Sequence, residues 1–219
     1  MAERIVVVGA GGFGRETLDV IEALIAAGEP LHLIGVVDAG PSDADLQRLA
    51  VRGVAYLGTE TEWMSTARGD ERVAVAIGSP EVREAVASRW SSAGFAAVSP
   101  LVHPRAVIGS EAALGAGVII ASGVQISTNV SVGRHVHVNP GAIIGHDATL
   151  RDYVSVNPGA IVSGNVVVDR GALLGAGSVV LQGLTVGSRA VVGASACVTK
   201  DVLTTTTVVG VPARNKEKM

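Results

Sequence analysis

The segment Ile144-Gly-His-Asp-Ala-Thr-Leu150 sets an imidazole beside a carboxylate in a region otherwise built from aliphatic and small residues. Histidine changes protonation near neutrality and suits the work of a general base. A neighbouring carboxylate fixes which ring nitrogen carries the proton. Adjacent residues often point apart, so His146 and Asp147 are either a solvated corner of the chain or a working pair, and their surroundings must decide.

A second constellation lies at the start of the chain. Gly9-Ala-Gly-Gly-Phe-Gly14 fits G-x-G-x-x-G, follows the apolar run RIVVVG and opens a helical pattern. In that context backbone N–H groups and the helix dipole face an anion, the arrangement of a phosphate cradle. Asp38 closes a second strand, LIGVVD, where a ribose or base contact is expected. Read alone, this pattern suggests NAD. Fewer than about one hundred residues precede a change of period, enough for one mononucleotide half, so a nucleotide-diphosphate sugar is favoured.

The remaining reactive side chains offer less. His135 and His137 alternate as on a strand, but no Cys or third ligand accompanies them, and no metal site is expected. Cys197 is the only cysteine, which excludes an internal disulfide and suggests a buried small hydrophobe. It has no His or acidic neighbour to activate it as an acyl carrier.

The elements that must position these groups fall into two parts, 1–98 and 99–219. In the first, short apolar strands alternate with helical patterns: RIVVVG, LIGVVD and RVAVAIG, the last ending at Gly78, and the helix SPEVREAVASRW with its Ser-Pro start. This alternation predicts a small parallel sheet with right-handed crossovers. The polar stretch from Ala39 to about Asp43 reads as a flexible edge.

From His103 the chain divides into sixteen consecutive blocks of six, each ending in Ile, Leu or Val, for example Ile144, Leu150, Val156 and Val162. Two places before each sits a second inward candidate such as Ala142, Ala148 or Val154. A strand and a turn repeating in blocks of six is a parallel β-helix. Aromatic residues are only 3% of the chain, which suits a core of stacked aliphatics. A net charge of -3 with scattered Lys and Arg gives no footprint for nucleic acid or an anionic membrane. The N-terminal run is too short for a signal peptide or a membrane span, and a cytoplasmic protein is expected.

The sixfold repeat resembles that of the hexapeptide acyltransferases. VVVGAGGFGRE, GVVD, AIGSPEVR and the ending GVPAR look like the nucleotide-sugar N-acetyltransferase and sialic acid O-acetyltransferase branch of that family. The resemblance implies a Rossmann-like half domain for the nucleotide sugar, followed by a left-handed β-helix with three blocks per turn. It implies acetyl-CoA as co-substrate, no metal, and a homotrimer with active sites between subunits.

Carried over position by position, the resemblance makes His146 the general base, Asp147 its orienter and Gly164 the residue whose N–H faces the acetyl oxygen. Gly11, Gly12, Phe13, Asp38 and Gly78 match the nucleotide-sugar side, and Asn139 matches a position near the acceptor sugar, with a turn Asn as its plainer reading. Acetyl-CoA is implied near Ser155, Gly164, Ala176, Gly177, Ala194, Val211 and Pro212. Two departures stand out. Ser155 replaces a second His often found nine residues after the base, so that His137, one coil away in the same outward column, or a Ser155-bound water partly fills its place, with a solvated surface His137 as the plainer reading, and Phe13 replaces a His. Direct attack of an amine on the thioester is the expected chemistry. O-acetylation of a sugar hydroxyl is the nearest alternative, and a non-catalytic nucleotide-sugar-binding trimer is the alternative of another class.

Overall fold

A computed structural model describes residues 2–216. Four parallel strands, β1 (Glu3–Val8), β2 (Leu31–Val37), β3 (Arg72–Val75) and β4 (Ala96–Ala97), form a sheet in the order β2-β1-β3-β4. The apolar run of β1 is central and buried on both sides, as expected of a parallel sheet covered by helices. Ile5 and Val7 face the helix α1 (Gly12–Ala26) with Leu18 and Ile21, whereas Val6 and Val8 face the opposite layer with Trp63, Val86 and Trp90.

Two further helices were not foreseen from the sequence. The polar stretch expected to be an edge leads into α2 (Asp43–Val51), whose N-cap Ser42 accepts from the Asp45 N–H. A Thr59/Glu62 capping box starts the short α3 (Glu60–Met64). The helix α4 (Pro80–Ser92) begins as predicted, with Ser79 capping the Val82 N–H and proline in the first turn.

The rest of the chain is a left-handed parallel β-helix. Its very short strands stack coil upon coil, Ser131 against Thr149, His137 against Ser155 and Ile143 against Ile161, in three sheets of eight, six and five strands. The predicted inward residues are buried: Ile144, Leu150, Val156 and Val162 end their strands inside, joined by Ala142, Ala148 and Val154. The solenoid begins with Leu101–Val102, one block before the visible repeat. Near its end the coils tighten, with Val186 bridged to Val202 and Val192 paired with Val208.

The three faces of the prism differ. The face carrying Leu101, Ile119, His137 and Ser155 is covered in its early coils by the N-terminal domain, so that Leu101 and Ile119 share a core with α1. The second face presents an outward column of Val107, Gln125, Ile143, Ile161, Val179 and Cys197. Val107 and Ile143 are exposed there. Cys197 is half-buried rather than buried, because Val198 takes the inward place. The third face carries Ala113, Ser131, Thr149, Val167 and Thr185. Among the described residues no helix is long and apolar enough to cross a membrane.

Candidate active site

His146 occupies the corner between the second and third faces, with its side chain 59% exposed. Asp147 takes a left-handed φ of 59, a turn conformation that Asp adopts more readily than most side chains. The two side chains meet, with Nδ1 of His146 2.7 Å from Oδ2 of Asp147. A carboxylate only accepts, so Nδ1 carries the proton and Nε2 keeps its lone pair. One coil earlier, Asn129 donates from Nδ2 to Oδ1 of Asp147 at 3.1 Å. The bond with His146, and after it the bond from Asn129, hold the Asp147 carboxyl below the usual carboxylate range. Asn129 was not singled out from sequence, although its place one full coil before Asp147 puts it in the same column.

Gly164 lies one coil beyond His146, and the two are in contact. A Cβ built on Gly164 would stand 2.6 Å from both Cε1 and Nε2 of the ring. The imidazole thus fills the space of the missing side chain. The Gly164 carbonyl accepts from the Gly183 N–H, while its own N–H meets no protein acceptor among the described residues.

The glycine loop divides its roles. Gly9 has φ +115, and a Cβ there would approach the Ala76 carbonyl at 2.7 Å; a Cβ on Gly14 would overlap the Gly9 carbonyl oxygen. Those two glycines let the loop and α1 lie close to the sheet. Gly11, Gly12 and Gly78 are exposed, and a Cβ on each would meet only open space. The N-terminus of α1 has neither a side-chain cap nor an acidic residue in its first turn, leaving its N–H groups free for an anion. Asp38 stands beside this loop and braces it, accepting from the Ala10 N–H at 2.8 Å and the Gly40 N–H at 2.9 Å.

Several expectations require correction. His137 is not a solvated surface residue: it is 1% exposed, with its ring stacked on Phe13 at 4.3 Å. Burial, and next the nearby Arg83, hold its pKa well below the usual histidine value. Ser155 is equally buried; its hydroxyl accepts from Arg83 at 2.9 Å and donates to the Gly78 carbonyl at 3.2 Å. Neither residue is on an outer surface where a coenzyme or a bridging water would replace the second His. The physical reason is that their face of the prism is covered by the N-terminal domain. Phe13 is also partly buried and joins the two domains. Asn139 is 7% exposed, and its side-chain amide donates to the next coil, to the Val156 carbonyl and Oδ1 of Asn157. His135 sits at a turn with φ 55 and stacks on Tyr153.

Of the residues expected near acetyl-CoA, Gly164 touches His146, whereas the others lie apart from it within one chain. Ala176, Gly177 and Ala194 lie on the corner between the first and second faces. Val211 is 74% exposed in the C-terminal loop, followed by Pro212. The two corners flank the same apolar face. Among the described residues no group of three or more His, Cys, Asp or Glu is placed to hold a metal ion.

Residues 4–90 match the PglD N-terminal domain family. No curated protein matches in sequence. Solved structures do. Perosamine N-acetyltransferase from Caulobacter crescentus, a mutant in complex with CoA and GDP-perosamine, is 30% identical with a TM-score of 0.87, covering 100% of this chain and 99% of that one. The acetyltransferase domain of PglB from Neisseria gonorrhoeae, in complex with acetyl coenzyme A, is 26% identical with a TM-score of 0.84 over 99% and 100% of the two chains. WeeI from Acinetobacter baumannii is 27% identical with a TM-score of 0.85, covering 98% of this chain and 100% of that one.

Proposed function

The chain belongs to the left-handed β-helix family of nucleotide-sugar N-acetyltransferases, and on that premise we propose that it moves the acetyl group of acetyl-CoA to the amino group of a nucleotide-linked amino deoxysugar. The observation that carries this reading is the His146 ring, tied through Nδ1 to Asp147 and presenting Nε2 over Gly164 on an exposed corner.

The chemistry follows from that geometry. The substrate amine attacks the thioester carbonyl carbon while Nε2 of His146 takes its proton, and Asp147 stabilises the imidazolium that forms. The Gly164 N–H donates to the tetrahedral oxyanion. Collapse breaks the C–S bond, and the departing thiolate receives the proton from His146, leaving amide and free CoA. No acyl-enzyme is formed. The N–H groups of Gly11, Gly12 and Phe13 bind the diphosphate, Gly78 borders it, and Asp38 adds a ribose contact from the lone pairs its loop-bracing bonds leave free.

Assembly supplies the other half of the site. The apolar column through Val107, Ile143, Ile161 and Val179 is the face to bury between copies. In a threefold ring with this face toward the axis, the His146 corner of one copy adjoins the Ala176, Gly177 and Ala194 corner of the next. Acetyl-CoA then lies between protomers of a homotrimer, with its thioester at Nε2 and the loop of Val211 and Pro212 along its path.

The test is thiol release from acetyl-CoA against a panel of UDP-, GDP- and dTDP-linked amino sugars and of the matching sugars that carry a hydroxyl in place of the amine. Release with one member names the substrate. Release only with hydroxyl acceptors makes the protein an O-acetyltransferase, and no release with any acceptor overturns the enzymatic reading.

A further inference from the structure

Arg83 on α4 is wholly buried and has no carboxylate partner among the described residues. Its guanidinium is instead spent on oxygens from both domains. Nη1 donates to the carbonyls of Ile77 and Gly78 at 2.7 and 3.2 Å, Nε to the His135 carbonyl at 2.9 Å, and Nη2 to the Tyr153 carbonyl at 2.7 Å and the Ser155 hydroxyl at 2.9 Å. Burial lowers its pKa to about 9, so the group stays a cation at neutral pH. Burying an unpaired charge is costly, and apolar contacts such as those of Leu101, Ile119 and Tyr153 already join the domains. The planar fork adds what apolar contacts lack, a fixed direction.

What it fixes is specific. On one side are Ile77 and Gly78, the loop beneath Gly9 of the phosphate cradle. On the other is Ser155, which closes the single coil begun by its paired neighbour His137. Phe13, in the cradle itself, stacks on His137. The cradle is therefore held to two stacked coils on the first face of its own prism, the face opposite the His146 corner, and in the threefold ring proposed above it is His146 of the next copy that adjoins the edge of this face. We infer that Arg83 is a positioning residue, which with Ser155 and the Phe13–His137 stack fixes the cradle on its own prism and so sets the span and angle between the bound nucleotide and the His146 base of the adjoining copy, so that a nucleotide-linked amine is presented to Nε2. This inference rests on the transferase reading above.

The experiment compares acetylation of the nucleotide-linked amino sugar with acetylation of the same amino sugar free of nucleotide, in the full-length protein. The free sugar does not depend on the cradle, so the ratio of the two kcat/KM values reports alignment and is insensitive to a loss of active protein. In Arg83→Lys, which keeps the charge but not the fork, the ratio falls by about tenfold or more. Ser155→Ala removes the hydroxyl contacts with little change of volume, carries the test if Arg83→Lys does not fold, and lowers the same ratio with KM for acetyl-CoA unchanged. A purely structural role would lower both rates in proportion and leave the ratio at its wild-type value, which overturns the inference. So would a rise in KM for acetyl-CoA alone in Ser155→Ala, which restores Ser155 to the coenzyme. A wild-type chain that turns over neither sugar removes the transferase reading and this role together, whereas an active wild type with an unmoved ratio removes only the latter.

Discussion

The imidazole of His146 lies over the α-carbon of Gly164, in the space a side chain there would fill. Gly164 lacks a left-handed φ, so an alanine is compatible with its backbone. The atoms its methyl would meet are the far end of a movable side chain. Gly164→Ala is therefore expected to leave the melting temperature nearly unchanged while displacing the ring, lowering kcat by about tenfold or more. Thermal unfolding and steady-state rates on one preparation check this; an unaltered rate would show that the ring's place over Gly164 is immaterial.

The glycines of the cradle separate packing from binding. Gly14→Ala drives a methyl into the Gly9 carbonyl and is expected to cost roughly 1–3 kcal/mol of stability. Gly11→Ala meets open space and is expected to change stability by no more than about 0.5 kcal/mol. Its methyl obstructs the close approach of a diphosphate, and KM for the nucleotide sugar should rise about tenfold, the order of one lost charge-assisted contact. Denaturant unfolding with substrate titration distinguishes the two, and equal stability losses would contradict the division of roles.

The buried histidines give the fold an acid sensitivity. Burial, then Arg83, lowers the pKa of His135 to about 4, and burial holds that of His137 well below the ordinary value. The unfolded chain binds these protons near about pH 6.5 and the folded chain does not, so unfolding takes up protons below that point. Stability is full above about pH 6.5 and is lost as the pH falls toward the folded values. His137→Phe, which retains a ring against Phe13, should show a smaller fall in melting temperature between about pH 7.5 and about pH 5 than the wild type. An identical fall in both proteins would contradict the assignment to His137.

Much of this arrangement was legible before any coordinates. A repeat in which Ile144, Leu150 and Val156 recur in phase specifies the coil, and counting three blocks along it places His146 beside Gly164. The same count in the other direction from Asp147 reaches Asn129, which was within the sequence's power to find. It does not reveal which face of the prism another domain covers. His137 and Ser155 stand in an outward column, and outward means solvent only where nothing is docked. Their burial depends on α4 and on Arg83, a residue that in AIGSPEVR reads as one more surface charge on a helix. The helices α2 and α3 were missed because they are short, nine and five residues, and their clearest signals lie in the caps Ser42 and Thr59 rather than in a sustained apolar period.

The central claim is that His146 is the base for acyl transfer, and its most direct test is steady-state thiol release by His146→Ala beside Asp147→Asn, each verified as folded and in the wild-type assembly. The expected result is a fall in kcat of about 10²-fold or more for His146→Ala with KM for acetyl-CoA little changed, and a smaller fall for Asp147→Asn, which keeps the turn but loses the charge. A His146→Ala protein that turns over near the wild-type rate would contradict it.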